Sequence, residues 1–459
     1  MLNAQDNALL TQTGPGTPMG QLFRHYWMPA LLASELPHPD CAPVKLRILG
    51  ENYVAFRDSQ GRIGVVEPTC PHRGADLFFG RNEEGGLRCV YHGWKFDVAG
   101  QCLEMPTLEA ADDQARQKIC SRMRLKSLAA RESAGIIWVY MAGEPEQAPP
   151  LPALEFMTVP ASHRYVSKKL QQCNWAQACE GGLDTAHFSY LHMSIEEGDA
   201  AGAAMNQSAL VASGNPNLIR WVREDGRPRF SVLEHEAGLV IGGARRADAG
   251  ALYWRISQFL MPNHGLTPAA FKGENYHGQT WVPIDDHSCW IYCYTWNPER
   301  PLTDAERAKF KAGHAVHAET DDNYVPLRNR ENLYLLDRQE QRTRSFTGVK
   351  GVSEQDACIQ DSQGYIVDRT REHLGATDVG VVRFRKRILQ ELGNFQHAGA
   401  PSIPAAPLAY HVRSGSAIAP ATESFEQVML ARFGHLHGLV PAGMQAPATA
   451  IQHDAKETA

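Results

Sequence analysis

Two short motifs each offer one thiolate and one imidazole: Cys70-Pro71-His72 and, after sixteen intervening residues, Cys89-Val90-Tyr91-His92. Pro71 stiffens the first loop, and Gly74 and Gly93 ease close backbone approach. Two chemistries use such a set. One is a single tetrahedral zinc ion; the other is a two-iron, two-sulfide cluster with two cysteines on one iron and two histidines on the other. Zinc sites of this composition usually have a shorter loop pair with a helix following. Strand-like sequence flanks both loops here. The repeated order, Cys then His, suits the cluster better, because each loop then gives its cysteine to one iron and its histidine to the other. That reading makes the centre a carrier of electrons.

Electrons need a destination, and NWAQACEGGLDTAHFSYLH supplies Asp184, His187 and His192. Asp184 and His187 are three apart and share one face of a helix. His187 and His192 are five apart and would diverge by about 140° in a regular helix. Both imidazoles reach one metal only if the helix ends or bulges between them. Two histidines with a later carboxylate form the facial triad of non-haem Fe(II) oxygenases, which leaves coordination positions open for O₂. The carboxylate candidates are Glu354, Asp356, Asp361 and Asp368 in SEQDACIQDSQGYIVD, and no spacing rule chooses among them.

The elements that must position these groups read as α+β. From Val44 to about Tyr140, short alternating runs such as VKLRIL, YVAFRD, LRCVYH and IIWVYM predict a small antiparallel β domain. GEPEQAPPLPALE, with four prolines, is the expected linker. After the helical patch at 174–192 come LVIGGARR, LYWRISQFLM, GQTWVPI and CWIYCYTW, β-branched and aromatic segments that predict one large antiparallel sheet. Beyond Leu302, TDAERAKFKAGHAVHAE and TDVGVVRFRKRILQELG predict helices against that sheet. The expected divisions are an N-terminal segment, 1–42, packing on the catalytic domain; the small domain, 43–145; the catalytic domain, 146–440; and a flexible tail, 441–459. The Pro/Ala/Ser-rich stretch from about Ala398 to Thr422 is also expected to be mobile.

Bulk properties narrow the partners. The 459 residues are enough for two or three domains, each with its own core. With 45 basic and 51 acidic residues and no dense Lys/Arg run, neither nucleic acid nor a membrane is an expected partner. The start lacks a basic segment followed by an apolar run, and no stretch is long enough for a membrane span, so the expected location is cytoplasmic. Ten scattered cysteines lack the density of a disulfide scaffold, which leaves thiols available as ligands.

The run CPHRGADLFFGRNEEGGLRCVYHGWKFDVAGQC resembles the Rieske domain of ring-hydroxylating oxygenase large subunits, most of all the phthalate dioxygenase branch. The pattern Asn-Trp, then Glu, then Asp-x-x-His-x₄-His is similar to that family's mononuclear-iron helix. The resemblance spans roughly residues 15 to 395. It implies that Cys70, His72, Cys89 and His92 hold a Rieske [2Fe–2S] cluster and that His187 and His192 bind iron. It further implies that Asn174 lies near that iron and that Asp184 receives electrons through the neighbouring subunit's His92, within a homotrimer or two stacked trimers. SEQD resembles the setting of the third ligand, which favours Asp356, with Asp361 next.

The implied activity is O₂-dependent cis-dihydroxylation of a phthalate-type aromatic carboxylate. Electrons would come from NAD(P)H through a separate flavin/iron–sulfur reductase. This chain has no dinucleotide-binding glycine fingerprint in a strand-to-helix setting. O-demethylation or hydroxylation of a substituted aromatic acid uses the same motifs, and a Rieske or zinc protein without oxygenase chemistry is the third class. A carboxylate substrate calls for a planar bidentate donor, which directs attention to Arg220, Arg245 and Arg246. The segment 196–215, rich in Gly, Ala and Ser, is readable as a lid or as a disordered loop.

Overall fold

The computed structural model describes residues 2–196, 199–208, 216–268, 271, 273–402 and 407–433. The small domain is built from three antiparallel sheets. Val44–Ile48, Glu51–Arg57 and Ile63–Val66 form the first. Arg81–Glu83, Gly86–Arg88, Lys95–Phe96 and Cys102–Glu104 form the second. Met28–Leu32, Ile136–Tyr140 and Ala129–Ser133 form the third. Phe56, Leu77, Leu87, Trp94 and Phe96 share one buried cluster with Cys70 and Cys89, so the second sheet's core lies directly behind the two motif loops.

The N-terminal segment belongs to both domains. Its helices Ala4–Thr11 and Pro18–Arg24 pack on the Val379–Ala398 helix. Its strand Met28–Leu32 instead pairs with Ile136–Tyr140 of the small domain.

The catalytic domain carries the expected large sheet. Its order is Arg164–Gln171, Cys289–Trp296, Tyr276–Pro283, His264–Thr267, Ala251–Leu260, Gly238–Arg246 and Arg229–His235, all antiparallel neighbours. The central strands are buried over almost their whole length, which explains their near-continuous apolar sequence. The helix Trp175–Leu183 lies on this sheet because it presents bare glycine to it. A Cβ on Gly182 would stand 2.4 Å from the Trp281 ring, and one on Gly181 would stand 2.0 Å from Gln360 of the Val352–Ser362 helix.

One expectation is corrected. Within the stretch 398–422, Gly415–Pro420 is an eighth strand, paired with Ala251–Leu260. Its small residues Ala417 and Ala419 are buried against Trp254, Ile256 and Phe425. Low side-chain volume there serves close packing and does not signal mobility. Residues 403–406 and 434–459, which include the expected tail 441–459, lie outside the described residues. Among those described, no helix is long and apolar enough to cross a membrane.

Candidate active site

The two motif loops share one backbone frame. In the first, Gly74 donates its N–H to Cys70 O at 2.9 Å and Cys70 donates to Ala75 O at 2.9 Å. In the second, Gly93 donates to Cys89 O at 2.9 Å and Cys89 donates to Trp94 O at 2.8 Å. Both closures need a left-handed residue, which Gly74 (φ +75°) and Gly93 (φ +76°) provide. The frames set like beside like: the Cys70 and Cys89 thiols interact, and the His72 and His92 rings are 4.3 Å apart.

His72 stacks on Trp94 at 4.6 Å, and its buried Nδ1 has no hydrogen-bond partner among the described residues. Burial pushes the Cys70 thiol up to about 11, opposed by the His72 backbone N–H and reinforced by Cys89. A metal must therefore displace its proton for it to act as a thiolate ligand. Among the described residues, the four side chains do not converge on one point as zinc ligands would. A thiol pair, an imidazole pair and an orphaned ring nitrogen fit a two-iron cluster.

One set of ligand atoms does converge. His187 Nε2 and His192 Nε2 are 3.1 Å apart. Asp356 Oδ1 lies 3.5 Å from the first and 3.1 Å from the second. Bonds of about 2.1 Å at roughly right angles would separate their donor atoms by about 3 Å, so the triangle fits three facial positions on one cation. The helix ends before both imidazoles, so Asp184 and His187 do not share a helical face as the spacing suggested. Leu183 is its last residue, Asp184 is the cap, and His187 opens a short 3₁₀ turn, His187–Ser189.

Each imidazole is oriented from behind. His187 Nδ1 lies 3.0 Å from Asp184 Oδ2, and His192 Nδ1 lies 2.7 Å from Gln355 Oε1. Those acceptors place the protons on Nδ1 and leave both Nε2 lone pairs facing the metal position. Burial opposes ionisation of Asp356, but the facing His192 and His187 hold its carboxyl below the ordinary range. Burial likewise opposes the Asp184 carboxylate, and His187 with the local backbone N–H groups outweighs it.

The other carboxylates lie elsewhere. Glu354 is two residues from Asp356 and faces away from it on the helix. Burial raises it to about 7, with Lys169 opposing. Asp361 accepts a bond from the Tyr334 hydroxyl. Asp368 caps the Arg369–Arg371 turn through Thr370 N at 3.0 Å.

Asn174 is also a correction. It caps the N-terminus of Trp175–Leu183, accepts from Ala176 N, and donates to Thr11 O and Asp286 O. Ten residues of helical rise, about 15 Å, separate it from Asp184 at the other end. Its role is to tie the helix to the N-terminal segment.

The converging ligands open on a cleft lined by Phe188, Arg255, Thr267, His277 and Gln279 among others. The expected arginines do not line it. Arg220 pairs with Glu224 and Asp248, and Arg246 is largely exposed beside Asp225. Arg245 is fully buried, donates to Thr185 O at 2.6 Å, and backs the site without entering the cleft.

Sequence reading missed Arg255. Its Nε donates to Thr185 Oγ1 at 2.9 Å and its guanidinium lies 4.2 Å over the Phe188 ring. Among the described residues its buried Nη1 has no partner, and no carboxylate pairs with it. The signal was an arginine in the middle of a continuous buried strand, ALYWRISQFL. Gln355 was missed too, one residue before Asp356. Of the segment 196–215, Ala200–Asn206 is a helix whose Asn206 accepts from Gln355 Nε2, and 197–198 and 209–215 lie outside the described residues.

Known proteins match this architecture over both domains. The Rieske [2Fe-2S] domain profile matches residues 26–126, and the profile described as LigXa C-terminal domain like matches residues 139–431. The chain is 35% identical over 449 residues to the 3-chlorobenzoate-3,4-dioxygenase oxygenase subunit of Comamonas testosteroni, covering 93% of this chain and 97% of that one. It is 38% identical over 417 residues to the phthalate 4,5-dioxygenase oxygenase subunit of Pseudomonas putida, covering 88% and 89%. A crystal structure of dicamba monooxygenase shares the fold at TM-score 0.53 and 18% identity, covering 82% of this chain and 98% of that one.

Proposed function

Because the chain belongs to the Rieske non-haem iron oxygenases, as a large oxygenase subunit of the phthalate dioxygenase-like branch, we propose that it cis-dihydroxylates an aromatic carboxylate. The observation that carries the substrate class is Arg255. A buried guanidinium whose Nη1 has no partner among the described residues, in the same cleft as His187, His192 and Asp356, is a costly isolated charge until an anion pairs with it. A carboxylate on a planar ring suits its fork, and Phe188 offers an aromatic face beside it. The two curated relatives are named for 3-chlorobenzoate and phthalate, both aromatic carboxylates.

In this reading Cys70 and Cys89 hold one cluster iron, His72 and His92 hold the other, and His187, His192 and Asp356 hold the mononuclear iron. When bound, the cluster supplies electrons singly and the ferrous ion supplies open positions for O₂. Asp184 and Gln355 keep the ligating nitrogens free of protons, and Arg255 orients the substrate's ring. A separate reductase drawing on NAD(P)H supplies the electrons.

We assign transfer between chains to the neighbouring subunit's His92 and Asp184, within a homotrimer. The large apolar exposure around each supports this: Val90 and Tyr91 are 59% and 53% exposed beside His92, and Tyr190 is 57% exposed beyond Asp184.

The test is turnover with a surrogate flavin/iron–sulfur reductase and NADH on phthalate, isophthalate, terephthalate and methoxybenzoates under ¹⁸O₂. The expected product is a cis-diol carrying label on both oxygens. Formaldehyde from a methoxybenzoate as the sole oxidation product would replace this reading with O-demethylation.

A further inference from the structure

His277 is the one imidazole on the described wall of the cleft that is not among the converging ligands. It sits on Tyr276–Pro283 directly across from Thr295 of Cys289–Trp296. Its Nδ1 is 2.7 Å from Thr295 Oγ1. Thr295 Oγ1 is in turn 2.8 Å from His317 Nε2, and His317 Nδ1 is 2.7 Å from Ser167 Oγ. His277, Thr295 and His317 are buried, whereas Ser167 keeps partial exposure. Four side chains thus form an unbroken file along one face of the sheet, from partly exposed Ser167 on the edge strand to the cleft, and every member both donates and accepts.

We propose that Ser167, His317, Thr295 and His277 are a proton relay feeding the cleft. The proposal rests on the cleft being a place where O₂ is reduced, not on which aromatic acid is bound. Reduction of O₂ into product takes up one proton with each electron. The metal-facing nitrogens of His187 and His192 are committed as ligands in that reading, and Arg255 is engaged by the substrate's carboxylate, so another group must deliver them.

The transfer balances. Ser167 takes a proton from water and passes its own to His317 Nδ1. His317 passes its Nε2 proton to Thr295, Thr295 passes its own to His277 Nδ1, and His277 releases its Nε2 proton into the cleft. One proton enters, one leaves, and no electron moves. Rotation of the hydroxyls, and exchange of each ring's tautomer by loss and gain of a proton, then restore the starting polarity. Burial also keeps both rings uncharged: it pulls His277 down to about 3, with His314 adding to the effect, and pulls His317 well below the ordinary range, with His277, His314 and Lys169 adding. A file of neutral rings works by exchange of tautomers, with no buried imidazolium.

A relay demands one polarity along the file, so both rings must share a tautomer. ¹⁵N NMR of histidine-labelled, iron-free protein reads this without any turnover. The expected result is two neutral rings, both protonated on Nε2 or both on Nδ1. Opposite tautomers, or a charged ring at neutral pH, would overturn the relay, since Thr295 would then face two N–H donors or two bare nitrogens and pass nothing on.

The second arm uses the loaded enzyme. Thr295→Val keeps the shape and removes the hydroxyl; kcat should fall about 10-fold or more with KM unchanged, and the H₂O/D₂O rate ratio should change. Thr295→Ser should restore both. Ser167→Ala, at the exposed end, should act in the same direction and carries the test if the valine variant does not fold. Valine and alanine variants with wild-type kcat and isotope effect would contradict the relay. Shared tautomers in a protein without oxygenase turnover would contradict the proposed function and leave the relay standing.

Discussion

Gln355 Oε1 stands 2.7 Å from His192 Nδ1, the counterpart of the 3.0 Å contact between Asp184 Oδ2 and His187 Nδ1. The amide is itself pinned, because its Nε2 donates to Asn206 Oδ1 and Val349 O, both at 2.8 Å. Its carbonyl oxygen therefore cannot turn away from the imidazole. Gln355→Ala should lower affinity for ferrous iron about 10- to 100-fold, read by titrating iron into the metal-free protein. The visible spectrum of the Rieske cluster should not change. Wild-type iron affinity would remove Gln355 from the account.

Arg255→Met keeps much of the side-chain volume and removes the charge. A hydrogen bond to a charged group contributes about 1.5–3 kcal/mol, so KM for an aromatic acid should rise roughly 10- to 150-fold. An uncharged amide of the same acid should discriminate far less between the two enzymes. Equal losses for acid and amide would mean that Arg255 supports the fold and does not bind the carboxylate.

Transfer between chains predicts complementation. A His92→Ala chain lacks a competent cluster, and a His187→Ala chain lacks the mononuclear iron, so either alone should be inactive. Co-expressed, the two should form mixed assemblies in which the intact cluster of one chain serves the intact iron site of the next. Measurable turnover is the expected result. Mixed assemblies with no turnover would place electron transfer within one chain.

Glu180 holds the helix Trp175–Leu183, which leads into the candidate metal site, to the rest of the domain. Its carboxylate oxygens accept from Arg369 at 3.0 and 3.0 Å and from Arg385 at 2.7 and 3.0 Å. Burial works against the carboxylate, but the two guanidinium groups outweigh it and hold its pKa below the ordinary value. A depressed folded-state pKa gives stability that is complete above the unfolded value of about 4.3 and is lost as pH falls through the folded value. Glu180→Gln leaves buried Arg369 without an anion and Arg385 with Glu372 alone, and should cost about 3–5 kcal/mol in urea unfolding at neutral pH. The variant should also lack this group's share of the acid-side loss.

Much of this site was readable because its groups are close in sequence or obey a geometric rule. The Cys/His loops are contiguous, and their positive-φ glycines are visible as Gly74 and Gly93. Five-residue spacing required a break between His187 and His192; the helix ends earlier still, at Leu183, and the separate 3₁₀ turn that His187 opens stops at Ser189. Asp356 came from resemblance, since nothing local to SEQD distinguishes a ligand from a solvated helix charge. Arg255 escaped notice because strand periodicity says which face a residue occupies but not what lies opposite. Asn174 misled for a related reason: a buried polar residue beside a metal helix can serve the helix end as easily as the metal. Gly415–Pro420 looked mobile by composition, yet a partner strand far away in sequence decides its state.

The most direct test of the account is Asp356→Ala, followed by iron quantification and the visible spectrum on the same sample. The prediction is an unchanged Rieske spectrum, loss of one iron per chain and loss of aromatic oxidation. Full iron content with wild-type turnover would contradict the assignment of His187, His192 and Asp356 as the oxygen-activating centre.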